Sequence, residues 1–398
     1  MTTTITTQVN AADTNANAIR LPFQRKEWRA VSRRWLIFGT EVGGTTKMYY
    51  TSAPDSDRTN WATPTYIRDA GAVGVSVWWD GTYAHIYDAG SLTYNRGTCS
   101  GSTLTLSDDI VGDVGVDKSF RYQPGGDMGF CVDSNGKLVV SYQWTNVTQK
   151  TVRVAISTKS HGTIITDGTW GAYADDEVAA ANHGTNAPIV GTILPGTSGN
   201  LELLYTINAA SAKVKGNSWD GDNWDTPADV STTAVEFDLP IGSLDKNIHP
   251  VSAIMNGDIV EMVFTGISGS DSPVIHMQKD GTWSGETTLD ADSSEDTSPL
   301  ICRDGDDDLI VFWIESDHIY YKRRIADSWD ESATDWVDDS GMGITNERLL
   351  ACEYAVEGSA VQVYWMSDHA SENTWNIRTD TLDFGEPVVG PFPTFFNP

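Results

Sequence analysis

The stretch KDGTWSGETTLDAD, residues 279–292, has a near copy in TDGTWGAYADDEV, residues 166–178. Asp-Gly-Thr-Trp is therefore written twice, each time after a β-rich run. A catalytic loop is seldom duplicated, whereas a corner that recurs belongs to a repeated scaffold.

The segments between these corners share one grammar. GFCVDSNGKLVVSYQW (129–144), PVSAIMNGDIVEMVFT (250–265), PLICRDGDDDLIVFWI (299–314) and LLACEYAVEGSAVQVYWM (349–366) each hold a short strand of small residues. A turn rich in Gly, Asn or Asp follows, and then a strand of alternating β-branched and aromatic residues. That is a hairpin signal. APIVGTILPGTSGNLELLYTI (187–207), GVSVWWDGTYAHIYD (74–88) and WRAVSRRWLIFGTE (28–41) fit with altered turns. A third strand follows most copies, among them KMYYTSA, TVRVAIST, PVIHMQ and HIYYKRR, and then an Asp/Trp turn and a weaker fourth strand. Seven such units are predicted, with six as the alternative because the first two are least regular. A four-stranded sheet cannot cover both its faces alone. Sheets fanned around an axis cover one another, so the predicted fold is all-β, a single seven-bladed β-propeller of four-stranded antiparallel blades.

The corner turns carry Asp55 and Trp61, Asp167 and Trp170, Asp220 and Trp224, Asp280 and Trp283, and Trp329. They resemble degenerate copies of the Asp-box, Ser-x-Asp-x-Gly-x-Thr-Trp, of the sialidase-like β-propeller superfamily. Ser218-Trp-Asp-Gly-Asp-Asn-Trp224 comes closest, with Asp222 where glycine is usual. Asp accepts N–H bonds inside the turn, Gly allows positive φ, and Trp wedges between neighbouring sheets. These are scaffold roles, and the resemblance spans about residues 28–380.

The resemblance also implies where a sialidase site would lie. Such enzymes hold a carboxylate with three arginines and use a Tyr–Glu pair and an Asp. The first arginine would be Arg20, in Arg20-Leu-Pro22 ahead of the first corner. Arg303 sits on an inner strand, but Arg121, Arg153 and Arg378 are poorly placed, and adjacent Glu353 and Tyr354 point to opposite sides of their strand. A catalytic set is not expected; Arg20 is its one candidate.

Net charge is −29, with forty Asp and only eleven Lys. That balance repels nucleic acid and fits a chain kept hydrated in high salt, so a halophilic source is one expectation. No run of apolar residues is long enough for a membrane helix. The N-terminal MTTTITTQVNAADTNANAIR lacks the basic start and apolar core of a secretory signal. Cys99, Cys131, Cys302 and Cys352 form no CxxC pair and read as small buried hydrophobes.

Two candidate sites remain. Asp304, Asp306 and Asp308 alternate around a Gly turn and could give oxygens to Ca²⁺, against the simpler reading of a solvated acidic hairpin tip. Trp78 and Trp79, beside Asp80-Gly81, could stack on a sugar ring, against the simpler reading of core packing. The seven histidines are scattered through the sequence and read as surface or turn residues. No other cofactor is expected.

Residues 1–27 read as a tether or as a strand that closes the ring, 28–383 as the propeller, and 384–398, with four Pro and four Phe, as a docking tail. The expected function is that of a non-enzymatic virion-surface or extracellular module, a structural, decoration or host-attachment protein of a phage or archaeal virus. Its expected partners are other virion or surface proteins met through the termini, host-envelope glycans, and further copies of itself. A sialidase-like or other glycoside-processing enzyme is the alternative.

Overall fold

The computed structural model of the chain describes residues 7–13, 25–42, 45–69, 75–88, 92–111, 128–145, 150–170, 173–177, 189–207, 211–235, 251–268, 271–291, 299–315, 318–338, 350–352, 360–369 and 374–384. These form seven antiparallel sheets, one per repeat unit. Three consecutive hairpin-linked strands open every sheet. The first sheet, for example, runs Glu27–Ala30, Arg33–Val42, Thr45–Pro54 and Thr65–Asp69 in spatial order.

Alternation along each second strand explains why the sheets fan. In Leu309–Glu315 of the sixth sheet, Ile310, Phe312 and Ile314 pack with Val361, Val363 and Trp365 of the seventh. Leu309, Val311 and Trp313 point the other way, against Ile254 and Val263 of the fifth. Both faces of the strand are thus buried by different neighbours, which a period-two strand achieves only between two sheets. Apolar clusters of this kind fill the seams between sheets one and two, two and three, three and four, four and five, five and six, and six and seven. Each fully buried Leu, Val or Ile contributes about 1.5–3 kcal/mol.

Hydrogen bonds and an aromatic contact cross the seventh-to-first seam. Tyr364 donates to Glu27 Oε1 at 2.8 Å, Arg34 donates to the carbonyl of Ala360 at 3.1 Å, and Trp61 meets Tyr364 edge-on with centroids 5.8 Å apart. The fourth strand of the seventh sheet comes from the other end of the chain. Thr7–Asp13 pairs antiparallel with Thr374–Asp383, Thr7 opposite Thr379 and Gln8 opposite Arg378. Leading into the first sheet, Arg25 donates to the carbonyl of Ile301 in the sixth sheet at 2.9 Å, and Lys26 to that of Val75 in the second at 2.6 Å.

The corner tryptophans lie in the seams. Trp170 is 2% exposed and meets Tyr87 and Tyr94 of the preceding sheet edge-on. Trp224 and Trp283 pack on the clusters shared with the sheet before, and Trp329 does the same while lying 5.0 Å from the His276 ring. Asp55 accepts from Arg29 at 2.8 Å. Asp220 Oδ1 accepts the amides of Asp222 and Asn223, with Gly221 at φ +105°.

The two identical tetrapeptides fold differently. At 280–283 the chain makes a tight hairpin, Asp280 opposite Thr282 across Gly281 at φ +68°. At 167–170, Asp167 ends a short helix, His161–Asp167, and Gly168 caps it at φ +66° with its N–H on the carbonyl of Ile164. Glycine supplies the left-handed conformation in both. The tryptophan reaches a seam either way.

Candidate functional site

Hairpin tips between first and second strands, and turns between third and fourth, share one end of the ring, the tip end. Neighbouring tips are stitched together there. Gly199 N–H donates to Ser134 Oγ at 2.6 Å, Thr197 donates to Asp258 Oδ1 at 2.7 Å, and Arg303 donates to Asn256 at 2.6 Å.

At the seam of sheets two and three, the tip end gathers Asp80, Tyr83, His85, Tyr94, Arg96 and His161. The strand Val75–Trp79 delivers Asp80 to a tight turn, where Gly81 adopts φ +89°. Asp80 Oδ1 accepts the amides of Thr82 and Tyr83 at 2.7 and 2.6 Å, a turn chemistry that fixes the carboxylate. Its Oδ2 lies 2.8 Å from His85 Nε2 and 3.8 Å from His161 Nε2. His85, on the next strand, is fully buried and holds Tyr94 Oη at 2.8 Å through Nδ1. His161 enters from the third sheet at the start of its short helix. The two imidazoles meet edge-on with centroids 4.7 Å apart. Arg96 stacks on Tyr83, 4.2 Å from the ring centroid, and points Nη1 at His161 Nδ1, 3.4 Å away.

Burial dominates the electrostatics. It depresses His85 below its ordinary value although Asp80 pulls the other way. Burial also lowers His161, to about 4, helped by His85 and Arg96. Both rings are therefore neutral at neutral pH. Burial raises the Tyr94 hydroxyl, which stays protonated. Burial pushes Asp80 up, but the bonds from His85, Tyr83 and Thr82 outweigh it and hold the carboxyl below its usual range. One bonding pattern satisfies the set: Tyr94 donates to His85 Nδ1, and His85 Nε2–H donates to the Asp80 carboxylate.

Trp78 and Trp79 flank this cluster but diverge. Trp78 packs against the seams on the far side of its sheet, and Trp79 against the seam with the first sheet; both are partly buried.

In the sixth sheet's tip, Asp304 is 2% exposed, so the acidic tip is not wholly solvated. Its Oδ1 accepts the amides of Asp306 and Asp308 at 2.9 and 3.0 Å, while Oδ2 takes Arg323 at 2.6 Å. Asp308 also meets Arg323, at 2.9 Å, and Asp306 points to solvent. Arg323 thus takes the place between these carboxylates that a cation would fill. Arg20 lies outside the described residues, as do Arg121, Glu353 and Tyr354.

Two histidines depart from the surface reading. His85 is fully buried, and His276 is 4% exposed and bonded to Glu261 at 2.8 Å. Nothing in the sequence pairs His85 with His161, because they belong to different blades. Asp-Gly at the tip, followed by a strand whose second residue is titratable, is the only trace. Cys131 and Cys302 are buried and in no disulfide; Cys99 is partly buried and accepts from Trp28 Nε1 at 3.4 Å.

By its hydrogen-bonded sheets and successive seams the chain is a β-propeller. No protein-family model matches it, and no curated protein does either. Among solved structures it is similar to the NanB sialidase of Streptococcus pneumoniae, at 12% identity and TM-score 0.44, covering 95% of this chain and 70% of that one. It is also similar to an alpha-L-arabinanase of Penicillium chrysogenum complexed with arabinobiose, at 13% identity and TM-score 0.42, covering 96% and 99%. A third is the SapL1 lectin in complex with alpha methyl fucoside, at 13% identity and TM-score 0.43, covering 81% and 98%. At such identities no substrate or activity transfers to this chain.

Proposed function

We propose that the protein is a non-enzymatic, outward-facing propeller module that binds cell-surface glycans. It serves as a structural, decoration or host-attachment component of a virus particle of phage or archaeal type. The observation that carries this reading is the position of the two chain ends. Thr7 pairs with Thr379 and Gln8 with Arg378 on the outer edge of the seventh sheet, so Thr7 and Phe384 lie along one edge, toward the tip end. Phe384 packs edge-on against Tyr321, with the Arg323 guanidinium over its ring, 4.2 Å from the centroid. A ring tethered at one edge leaves its opposite end free to face outward.

Midway along the outer strand of the first sheet, Tyr66 is 49% exposed. Its hydroxyl donates to Asp69 at 3.0 Å, and Lys47 lies 5.8 Å from its ring. A half-exposed aromatic ring with a carboxylate and an ammonium close by suits contact with a sugar. The test has three arms: a glycan array with wild type and Tyr66→Ala at low and multimolar salt, turnover on aryl-glycosides and sialosides, and mass spectrometry of purified virus particles. Glycan binding lost in Tyr66→Ala, with no turnover and with the protein in the particle, supports the reading. Turnover, or absence from particles, overturns it.

A further inference from the structure

We propose that Asp80, His85 and His161 bind a divalent transition-metal ion at the seam of the second and third sheets. One donor atom from each residue lies within 4.8 Å of the other two. Two imidazoles and one carboxylate are a ligand set that zinc accepts, with solvent in the fourth position. Bonds of about 2.0–2.1 Å in a tetrahedron put ligand atoms roughly 3.3 Å apart. The Asp80 Oδ2 distances of 2.8 Å to His85 Nε2 and 3.8 Å to His161 Nε2 lie on either side of that spacing.

The surroundings are those of a supported site. The amides of Thr82 and Tyr83 occupy Asp80 Oδ1 and leave Oδ2 to face the two rings. Tyr94 holds His85 Nδ1, as outer-shell partners hold ligating histidines. With zinc on Nε2, His85 carries its ring proton on Nδ1, where the Tyr94 oxygen accepts it. Asp80 and His161 side chains are each 21% exposed, so the fourth position opens to water at the tip end. Arg96 is the opposing group. Its guanidinium faces His161 Nδ1, which would carry a proton when Nε2 binds metal, so donor meets donor and cation lies near cation.

Zinc chloride titrated calorimetrically into the full chain tests this, with cobalt(II) as the optical probe. The expected result is one site per chain whose affinity falls at least tenfold in His161→Gln and in Asp80→Asn, both partly exposed positions. Arg96→Gln, which removes the charge and offers an acceptor to Nδ1–H, is expected to tighten binding. Cobalt is expected to show visible absorption bands of a tetrahedral centre that His161→Gln abolishes. No zinc binding, or equal affinity in wild type and folded His161→Gln, overturns the site. Glycan binding and particle association are separate readouts, so the metal site and the proposed function can fail independently.

Discussion

Tyr364 and Glu27, separated by almost the whole chain, share a buried hydrogen bond of 2.8 Å where the ring closes. Glu27 also lies 3.5 Å from Arg34, and both side chains are fully buried. The first and seventh sheets thus meet through a tyrosine–carboxylate hydrogen bond, with Arg34 of the first sheet beside the same carboxylate. Tyr364→Phe keeps the ring packing against Trp61 but deprives a buried carboxylate of a donor. A loss of about 1–3 kcal/mol is expected, read as a lower urea midpoint with an unchanged slope.

The two Asp-Gly-Thr-Trp corners predict unequal costs for one substitution. Trp170 is 2% exposed between Tyr87 and Tyr94, whereas Trp283 is only partly buried. Trp170→Ala is expected to cost about 3–5 kcal/mol, and Trp283→Ala clearly less. Thermal melts of both variants check the order. Equal costs would mean that identity of sequence, rather than depth in the seam, sets the contribution.

Those corners also mark how far the sequence could be read. Strand–turn–strand grammar and period-two alternation put seven sheets where they form, because burial on both faces leaves a direct trace in residues such as Leu309–Glu315. Local turn geometry was less legible: Asp167-Gly168 caps a helix while Asp280-Gly281 turns a hairpin, since flanking residues and not the tetrapeptide choose. Of the candidate site only the Asp80-Gly81 tip was legible. Asp80 and His85 look like any tip, and only the seam brings His161 and Arg96 to them. Side chains from separate repeats meet by the angle between blades, which no local pattern records.

His85 and His161 give the pH dependence a sign. Both titrate below their ordinary value in the folded protein, His161 at about 4, because burial disfavours the charged rings. Below about pH 6.5 the unfolded chain takes up protons that the folded chain refuses. Stability is therefore expected to fall as pH drops from 7 to 5. The groups facing the rings are Asp80, Arg96, Tyr83 and Tyr94, and Asp80 stays ionised through this range. Asp133, Glu202, Asp304 and Asp308 are raised by burial and act in the opposite sense nearer the carboxylate range. Denaturant midpoints across pH 5–7 are expected to slope less in His161→Gln than in wild type. Parallel slopes would show that His161 is not held neutral.

Seams four–five and five–six repeat one device. Glu202 and Glu261 are 4% and 2% exposed on second strands, and the following blade's third strand sends Lys279 to the first at 2.7 Å and Arg324 to the second at 3.1 Å. Ser218 completes the first set, donating to Glu202 at 2.8 Å. Burial already raises Glu202, with Lys279 resisting. Lys279→Met strands a buried carboxylate and is expected to cost about 3–5 kcal/mol at pH 7. Two features separate this from a simple packing loss. Acidification lets Glu202 protonate, so the Lys279→Met deficit is expected to shrink between pH 7 and 5. The double variant Glu202→Leu/Lys279→Met removes both charges and is expected to recover most of the stability, since the buried pair repays little beyond its own desolvation. A single-variant deficit that is independent of pH, or a double variant no better than the single, would assign the loss to the lysine's aliphatic stem instead.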